Sequence, residues 1–523
     1  MIHKRFKSII LSLILSQFFL LSGVSKVVGQ NDILKIADDH KTKGNFKAAL
    51  NIYLRVAEKD SLNPWANYGA GIAILNISMN KRKSVYYLER AFRSGIKDVD
   101  AMYYMGVAYH YNLQLDMAEA AFEEYIAAEN GTLLIEAVRQ IQYVKNAKKI
   151  TTAPISVDFE NVGLNINSIY PDYYPMITPD ESFLAFTSRR KSNVGARLEF
   201  DGFYPSDIWM TKVETGEFRL VENSGKYVNS KFDEQLVGLS VKGDKMFVYS
   251  DNIKEFGDIY YSNYSDGVFK TKIKFDEVIN SKYFESAATI SSDQNTLFFA
   301  SDRPGGIGGK DLYMTRKLPT GAWAAPQNLG KKINTPYNED FPYLFHDGQS
   351  LYFASEGHNS IGGYDLFKST WNSEFNTWTK PVNLGYPINT PEDNLTISFT
   401  KDQLHAYISC WRKDSQGDLD IYRVTFLDKD PRRTIYKCKI VKENSEKIIK
   451  SAYISVFDNL SDEEIGNYAP DPKSGSIVMA LQPGSYHIVI EVDGYHEMET
   501  DVVVKGKSDF KDFQLHDFIV KPK

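Results

Sequence analysis

Two cysteines, Cys410 and Cys438, stand in 523 residues. That is too few for a disulfide framework or a cysteine-rich zinc cage. They fall in what reads as different domains, so two unpaired buried thiols are expected. A basic excess is also missing: 61 Lys and Arg face 67 Asp and Glu, for a formal net charge of −6. Nucleic-acid binders carry the opposite balance, so that class is set aside. Long apolar runs are lacking as well. The longest, Ile9 to Leu21, is about 13 residues, short of the roughly 20 that span a bilayer. Proline is nearly absent from 31 to 148, where only Pro64 occurs, and a G-x-S-x-G nucleophile elbow is absent throughout.

What the first 29 residues do hold is a positive start (Lys4, Arg5, Lys7), the apolar run, then small residues before Gln30. This is the layout of a signal peptide cleaved after residue 29. Export is therefore expected, with no transmembrane segment in the mature chain. No cysteine ends the signal region, so a bacterial lipid anchor is not expected.

Residues 30–150 read as amphipathic helices with an internal period. Ala49, Ser84 and Ala118 are spaced by 35 and 34 residues, and Tyr53, Leu88 and Phe122 each follow by four. Gly71 and Gly106 precede the second and third copies. Small residues let two helices approach, and the large ones fill the gap between copies. A 34-residue helix-turn-helix period resembles the tetratricopeptide repeat. Its inner helices would line a groove formed by Leu34, Asp38, Lys41, Asn76, Tyr103, Val107 and His110, the candidate partner-binding residues.

Helical periodicity stops at Thr151, and short strand patterns fill 151–430. Aromatic content of 13%, with 33 Tyr and 31 Phe, suits strands. Asp-[Ile/Leu]-aromatic recurs at Asp207, Asp258, Asp311, Asp365 and Asp420, spaced by 51, 53, 54 and 55 residues. Before each lies a strand ending in serine: Ser188, Ser250, Ser301, Ser355 and Ser409. Asn-Thr-Pro recurs at Asn334 and Asn389. A period near 50 with several strands per unit means propeller blades, and five in-phase copies resemble the TolB-like, WD40-related propeller. Residues 431–523 change again. The Pro483-Gly484 turn, the strand Tyr486 to Val492 and the Gly494-Tyr495 step resemble a carboxypeptidase-regulatory-like β-sandwich. The expected fold class is thus multidomain: a helical tetratricopeptide solenoid, an all-β propeller of about five blades, and a small β-sandwich.

Catalytic chemistry finds little support. Gly305 to Lys310 looks like a phosphate loop, but Pro304 and Asp311 stand where the Walker pattern needs Gly and Ser or Thr. A tight inter-strand turn is the better reading, since Ile361-Gly362-Gly363 repeats it one unit later. His496-Glu497 lacks the second histidine of a zinc protease, because Thr500 holds that place. Neither enzyme activity, cofactor nor metal is expected.

The order of these parts resembles a group of Bacteroidota envelope proteins of the PorE type, described as OmpA-family. The matching stretches are Ala300 to Tyr313, Ile333 to Pro336 and Leu481 to Tyr486. The resemblance implies a periplasmic, outer-membrane-associated scaffold for protein–protein interaction, serving type IX secretion and gliding. Its partners would be outer-membrane or periplasmic proteins, among them a PorP/SprF-type barrel. Such relatives continue into an OmpA-type peptidoglycan-binding domain, which is not expected here, so attachment would come from partners. The alternative is a glycan- or peptidoglycan-binding envelope module.

Overall fold

The structure, a computed structural model, describes residues 30–77, 79–214, 217–252, 255–427, 433–459, 463–482, 484–504 and 513–523. The expected signal peptide and Pro483 lie outside the described residues.

Seven α-helices occupy 30–150: α1 (Gln30–Thr42), α2 (Phe46–Lys59), α3 (Pro64–Leu75), α4 (Ser84–Arg93), α5 (Ala101–Tyr111), α6 (Leu115–Ala127) and α7 (Leu134–Ile150). Asparagines start two of them. Asn45 accepts the Ala48 N–H at 3.0 Å, and Asn63 accepts the Ala66 N–H at 2.9 Å. Each satisfies a donor that a first helical turn leaves without a partner. Pro64 enters α3 where no N–H is needed. The helices touch through the small residues of the sequence period. A Cβ on Gly71 would stand 2.5 Å from Leu88, and one on Gly106 would stand 2.7 Å from Phe122.

Five antiparallel sheets follow, and their strands neighbour one another around a ring. In chain order the sheets start at Asp172, Asp233, Glu285, Glu339 and Ser398. The strand Val157–Asn161 closes the ring by pairing with Asp420–Phe426 of the fifth sheet, from Val157↔Phe426 to Asn161↔Tyr422. This architecture is a propeller, with apolar cores between successive sheets.

One hydrogen-bond pattern recurs in all five sheets. The amide of a buried asparagine both accepts from and donates to the backbone of a single strand residue. The pairs are Asn167 with Ile421, Asn229 with Ile208, Asn280 with Ile259, Asn334 with Leu312, and Asn389 with Leu366, all at 2.8–3.0 Å. The bonded residue is the Ile or Leu of the Asp-[Ile/Leu]-aromatic repeat. The glycine-rich stretch belongs to the same machinery. The Ile307 and Gly308 N–H groups donate to Asp311, so they are turned onto their own sheet. A Cβ on Gly308, Gly362 or Gly417 would run into the backbone of the neighbouring connection.

The last described residues form two four-stranded sheets around one core that includes Cys438, Ile454, Val456, Ile488 and Phe518. Their first and last long strands, Thr434–Lys442 and Phe513–Val520, pair in parallel.

These observations correct the expected fold class of tetratricopeptide solenoid, propeller and sandwich. A tetratricopeptide solenoid is not shown. The helices run from 10 to 17 residues, and α4 is entered through a 3-10 turn at Lys81–Lys83. The last helix lies on the ring rather than capping a free stack. Among the described residues seven sheets follow the helices, antiparallel except for the one parallel pair. The physical reason is that the 34-residue spacing fixes where helices touch pairwise, not whether the stack stands free.

Two expectations follow. Gly106→Ala forces a methyl into Phe122 and lowers stability by about 1–3 kcal/mol, read as an earlier loss of helical circular dichroism in urea. Asn334→Ala leaves the Leu312 N–H unpaired in the core, while the Leu312 C=O keeps the Leu329 N–H at 3.0 Å, and costs about 1–3 kcal/mol. Faster hydrogen exchange at the Leu312 amide checks it; unchanged protection there refutes it.

Candidate functional site

The helices meet the ring along a polar seam. From α7, Tyr143 donates to the Glu356 carbonyl at 3.0 Å, and Asn146 Nδ2 donates to the Ser360 carbonyl at 2.8 Å. Arg139 pairs with the Glu356 carboxylate at 3.2 Å and stacks 4.0 Å from the Tyr337 ring centre. Lys81, in the 3-10 turn, lies 4.7 Å over the Tyr111 ring and 3.8 Å from Glu392. Lys47 of α2 rests over Phe203 of the ring at 5.4 Å.

Two half-open hollows flank the Lys81–Glu392 contact. The first, about 510 Å³, takes Lys47, Asn76 and Lys81 from the helical side and Tyr173, Arg189 and Gln235 from the ring. Tyr173, Gln235 and Leu395 hold the same place in their sheets and all line it. Ser286 and Asp340 hold that place in the other two sheets and bond each other at 2.6 Å. The second hollow, about 610 Å³, lies between the 3-10 turn and the fifth sheet and contains Cys410, Trp411 and Arg412. Burial pushes the Cys410 thiol up to about 12, so it is protonated and a poor nucleophile at neutral pH.

The seven candidate residues of the sequence are distributed over several places. Leu34, Asp38 and Lys41 line a third hollow of about 450 Å³ on the helical block, with Trp65, Tyr68 and Asp98. There Asp38 accepts the Tyr53 hydroxyl at 2.6 Å and pairs with Lys41 at 2.9 Å. Asn76 ends α3 and lines the first hollow. Tyr103 packs against Phe122 and Tyr125, and burial pushes its hydroxyl up to about 12. Val107 is half-buried against two helical cores. His110 is buried beside Gln140, and desolvation lowers it to about 4, so it is neutral. The residues that make the seam, Arg139, Tyr143 and Asn146, carry no periodic signal and meet partners between 337 and 360, far along the chain.

Inside the ring, a buried polar side chain stands at or near the start of each sheet: Asp172, Glu234, Glu285, Glu339 and Asn394. Each accepts from a Ser or Thr four residues earlier. Three have a buried cation: Arg190 on Asp172 at 2.6 Å, Lys272 on Glu234 at 2.6 Å, and Arg303 on Glu285 at 3.1 Å. Glu339 has none. His358 stands near the arginine's place and meets the Ile333 carbonyl at 2.9 Å, and desolvation raises Glu339 to about 7.

No family model matches the chain, and no curated protein matches it. Solved structures to which it is similar include TolB from Acinetobacter baumannii, at 17% identity over 49% of this chain and 54% of that one, with a TM-score of 0.31. A TolB-like protein from Agrobacterium tumefaciens aligns at 15% identity over 52% and 98%, with a TM-score of 0.27. An α-L-arabinofuranosidase from Lactobacillus brevis aligns at 14% identity over 49% and 90%, with a TM-score of 0.33. The chain thus spans about half the length of the Acinetobacter protein. TolB proteins are among the neighbours, while PorE-type or OmpA-family membership is not shown. The propeller rests on the strand pairing itself.

Glu339 yields a pH prediction. Its folded pKa of about 7 exceeds the ordinary 4.5. The folded chain keeps this proton through a window in which the unfolded chain has released it, so stability falls as pH rises from about 4.5 to about 7. The contribution is at most about 3 kcal/mol. Glu339→Gln should narrow the drop in melting temperature between pH 5 and pH 8. An identical drop in wild type and variant would rule Glu339 out as its source.

Proposed function

We propose that the protein is an exported, non-enzymatic scaffold of the bacterial envelope, whose helical block and ring together form a platform for partner proteins. The observation that carries this reading is the seam. Contacts from α7, α2 and the 3-10 turn hold two units together, and the hollows beside them draw walls from both. A surface of this kind suits recognition of an extended or protruding polypeptide segment. Neither seam hollow is lined by a histidine, and the Cys410 thiol is held protonated, which favours binding over nucleophilic chemistry. Among the described residues no helix is long and apolar enough to cross a membrane.

The finer part of the reading comes from the sequence resemblance. It puts the protein in the periplasm at the outer membrane, with type IX secretion or gliding components as partners and a PorP/SprF-type barrel as the first to try.

The test is capture from envelope extracts by the immobilised chain from Gln30 to Lys523. Wild type should retain an outer-membrane or periplasmic protein. The seam variant Arg139→Ala with Asn146→Ala should retain at least about five-fold less, since losing buried charged and neutral hydrogen bonds costs on the order of 1–3 kcal/mol. Capture of no envelope protein by wild type would make the platform reading wrong.

A further inference from the structure

The five sheets are copies of one pattern, so a departure in one copy stands out against the other four. Strand register fixes the equivalent positions. Ser188 faces Asp207, Ser250 faces Asp258, Ser301 faces Asp311, and Ser355 faces Asp365; in the fifth sheet Cys410 faces Asp420. The serine position of the fifth sheet is therefore Cys410 and not Ser409.

Two residues past that position, the first and third sheets carry Arg190 and Arg303. Each guanidinium is fully engaged inside the ring. Arg190 bonds Asp172 and the Ile166 carbonyl at 2.6 and 2.7 Å. Arg303 bonds Glu285 and the Ile279 carbonyl at 3.1 and 2.6 Å. The fifth sheet keeps the arginine, Arg412, but the carboxylate has become Asn394 and the serine has become Cys410. Arg412 makes no ion pair among the described residues. It stacks 3.7 Å from the Phe159 ring centre and borders the 610 Å³ hollow.

That hollow is furnished for an anion. Lys81, Arg82 and Lys413 line it beside Arg412. Of its carboxylates, Glu392 faces Lys81, Asp393 accepts the Tyr364 N–H at 3.0 Å, and Asp414 accepts the Tyr422 hydroxyl at 2.9 Å. None of them pairs with Arg412 among the described residues. The rest of the wall mixes polar side chains (Asn80, Thr390 and Asn394) with aromatic and aliphatic ones, among them Tyr111, Trp411 and Leu419. Guanidinium is suited to planar, two-point recognition of carboxylate. The Leu113, Ile388 and Leu419 side chains offer a face for an apolar side chain next to the anion, which favours polypeptide over sugar.

We propose that this hollow binds an acidic side chain of a partner polypeptide, with its carboxylate on Arg412, supplying from outside the counter-charge that the ring's own carboxylate gives Arg190 and Arg303 in the first and third sheets, and an apolar neighbour against Trp411. The proposal rests on the platform reading above.

Two variants test it from opposite directions. Arg412→Gln removes the cation. Asn394→Glu restores the internal carboxylate, so Arg412 is drawn back into the ring as Arg190 and Arg303 are. The probe is a dye-labelled pentapeptide with glutamates between leucines, followed by fluorescence anisotropy. Its glutamine counterpart and an oligogalacturonide serve as the other arms, and melting temperature checks that the variants fold. Wild type should bind the acidic peptide, and both variants should bind at least ten-fold more weakly, with Asn394→Glu melting no lower than wild type. The glutamine peptide should not bind. The proposal is overturned if the acidic peptide fails to bind wild type, if both folded variants bind it as wild type does, if the glutamine peptide binds equally, or if only the oligogalacturonide binds. Any of these outcomes alongside seam-dependent capture of an envelope protein leaves the platform reading standing and removes only this site.

Discussion

The ring depends on one buried amide repeated five times. In four of the five sheets the outer edge is made of strands of two residues, and in all five the chain past that edge gives the third strand's Ile or Leu a donor for its C=O while its N–H turns to a side chain. The asparagines at 167, 229, 280, 334 and 389 supply it. Each supplies an acceptor and a donor to the same strand residue, which only a side-chain amide does with both atoms in one plane. A carboxylate could accept but not donate, and a hydroxyl is too short. The connection between sheets is thereby fastened to the strand it leaves, and the next sheet starts from a fixed point.

That fixed point explains which parts of the chain were legible in its sequence. The Asp-[Ile/Leu]-aromatic spacing reports the strand that the asparagine grips, so the number of sheets could be read directly. The asparagine itself was visible at Asn334 and Asn389, where Thr-Pro follows, and was hidden at Asn167, Asn229 and Asn280, where other residues follow. The serine position slipped by one in the fifth sheet because Ser409 offered the familiar letter, whereas register puts Cys410 there. A pattern of letters follows chemistry that is repeated, and loses it where one copy has changed.

The helical block shows the other limit. Gly71 against Leu88 and Gly106 against Phe122 could be inferred, because both partners sit within one period. The face that docks on the ring could not. Its contacts are single polar bonds from Arg139, Tyr143 and Asn146 to backbone and side chain near 356–360, and no periodicity links them. Helical spacing alone points to the groove residues, and it does not distinguish a face turned to solvent from one turned to a neighbouring unit. His110 is therefore buried, while Asp38 and Lys41 edge a separate hollow.

Charge inside the ring follows from the same economy of partners. A carboxylate taken out of water needs a cation or several donors, and removing one member of such a pair is costlier than removing both. The first three sheets keep the pair. The fourth keeps the acid, and donors from Thr335 and Ser355 hold it while its proton affinity rises. The fifth replaces the acid with an amide, which needs no counter-charge and still accepts from Thr390. Once the acid is neutral, nothing inside the ring retains an arginine by charge. Its guanidinium is then held by an aromatic face at the surface of the hollow, where a charge remains hydrated at little cost. Losing the internal anion and exposing the external cation are thus two sides of one substitution, and the fold tolerates it because the asparagine clamp, not the ion pair, ties the sheets together.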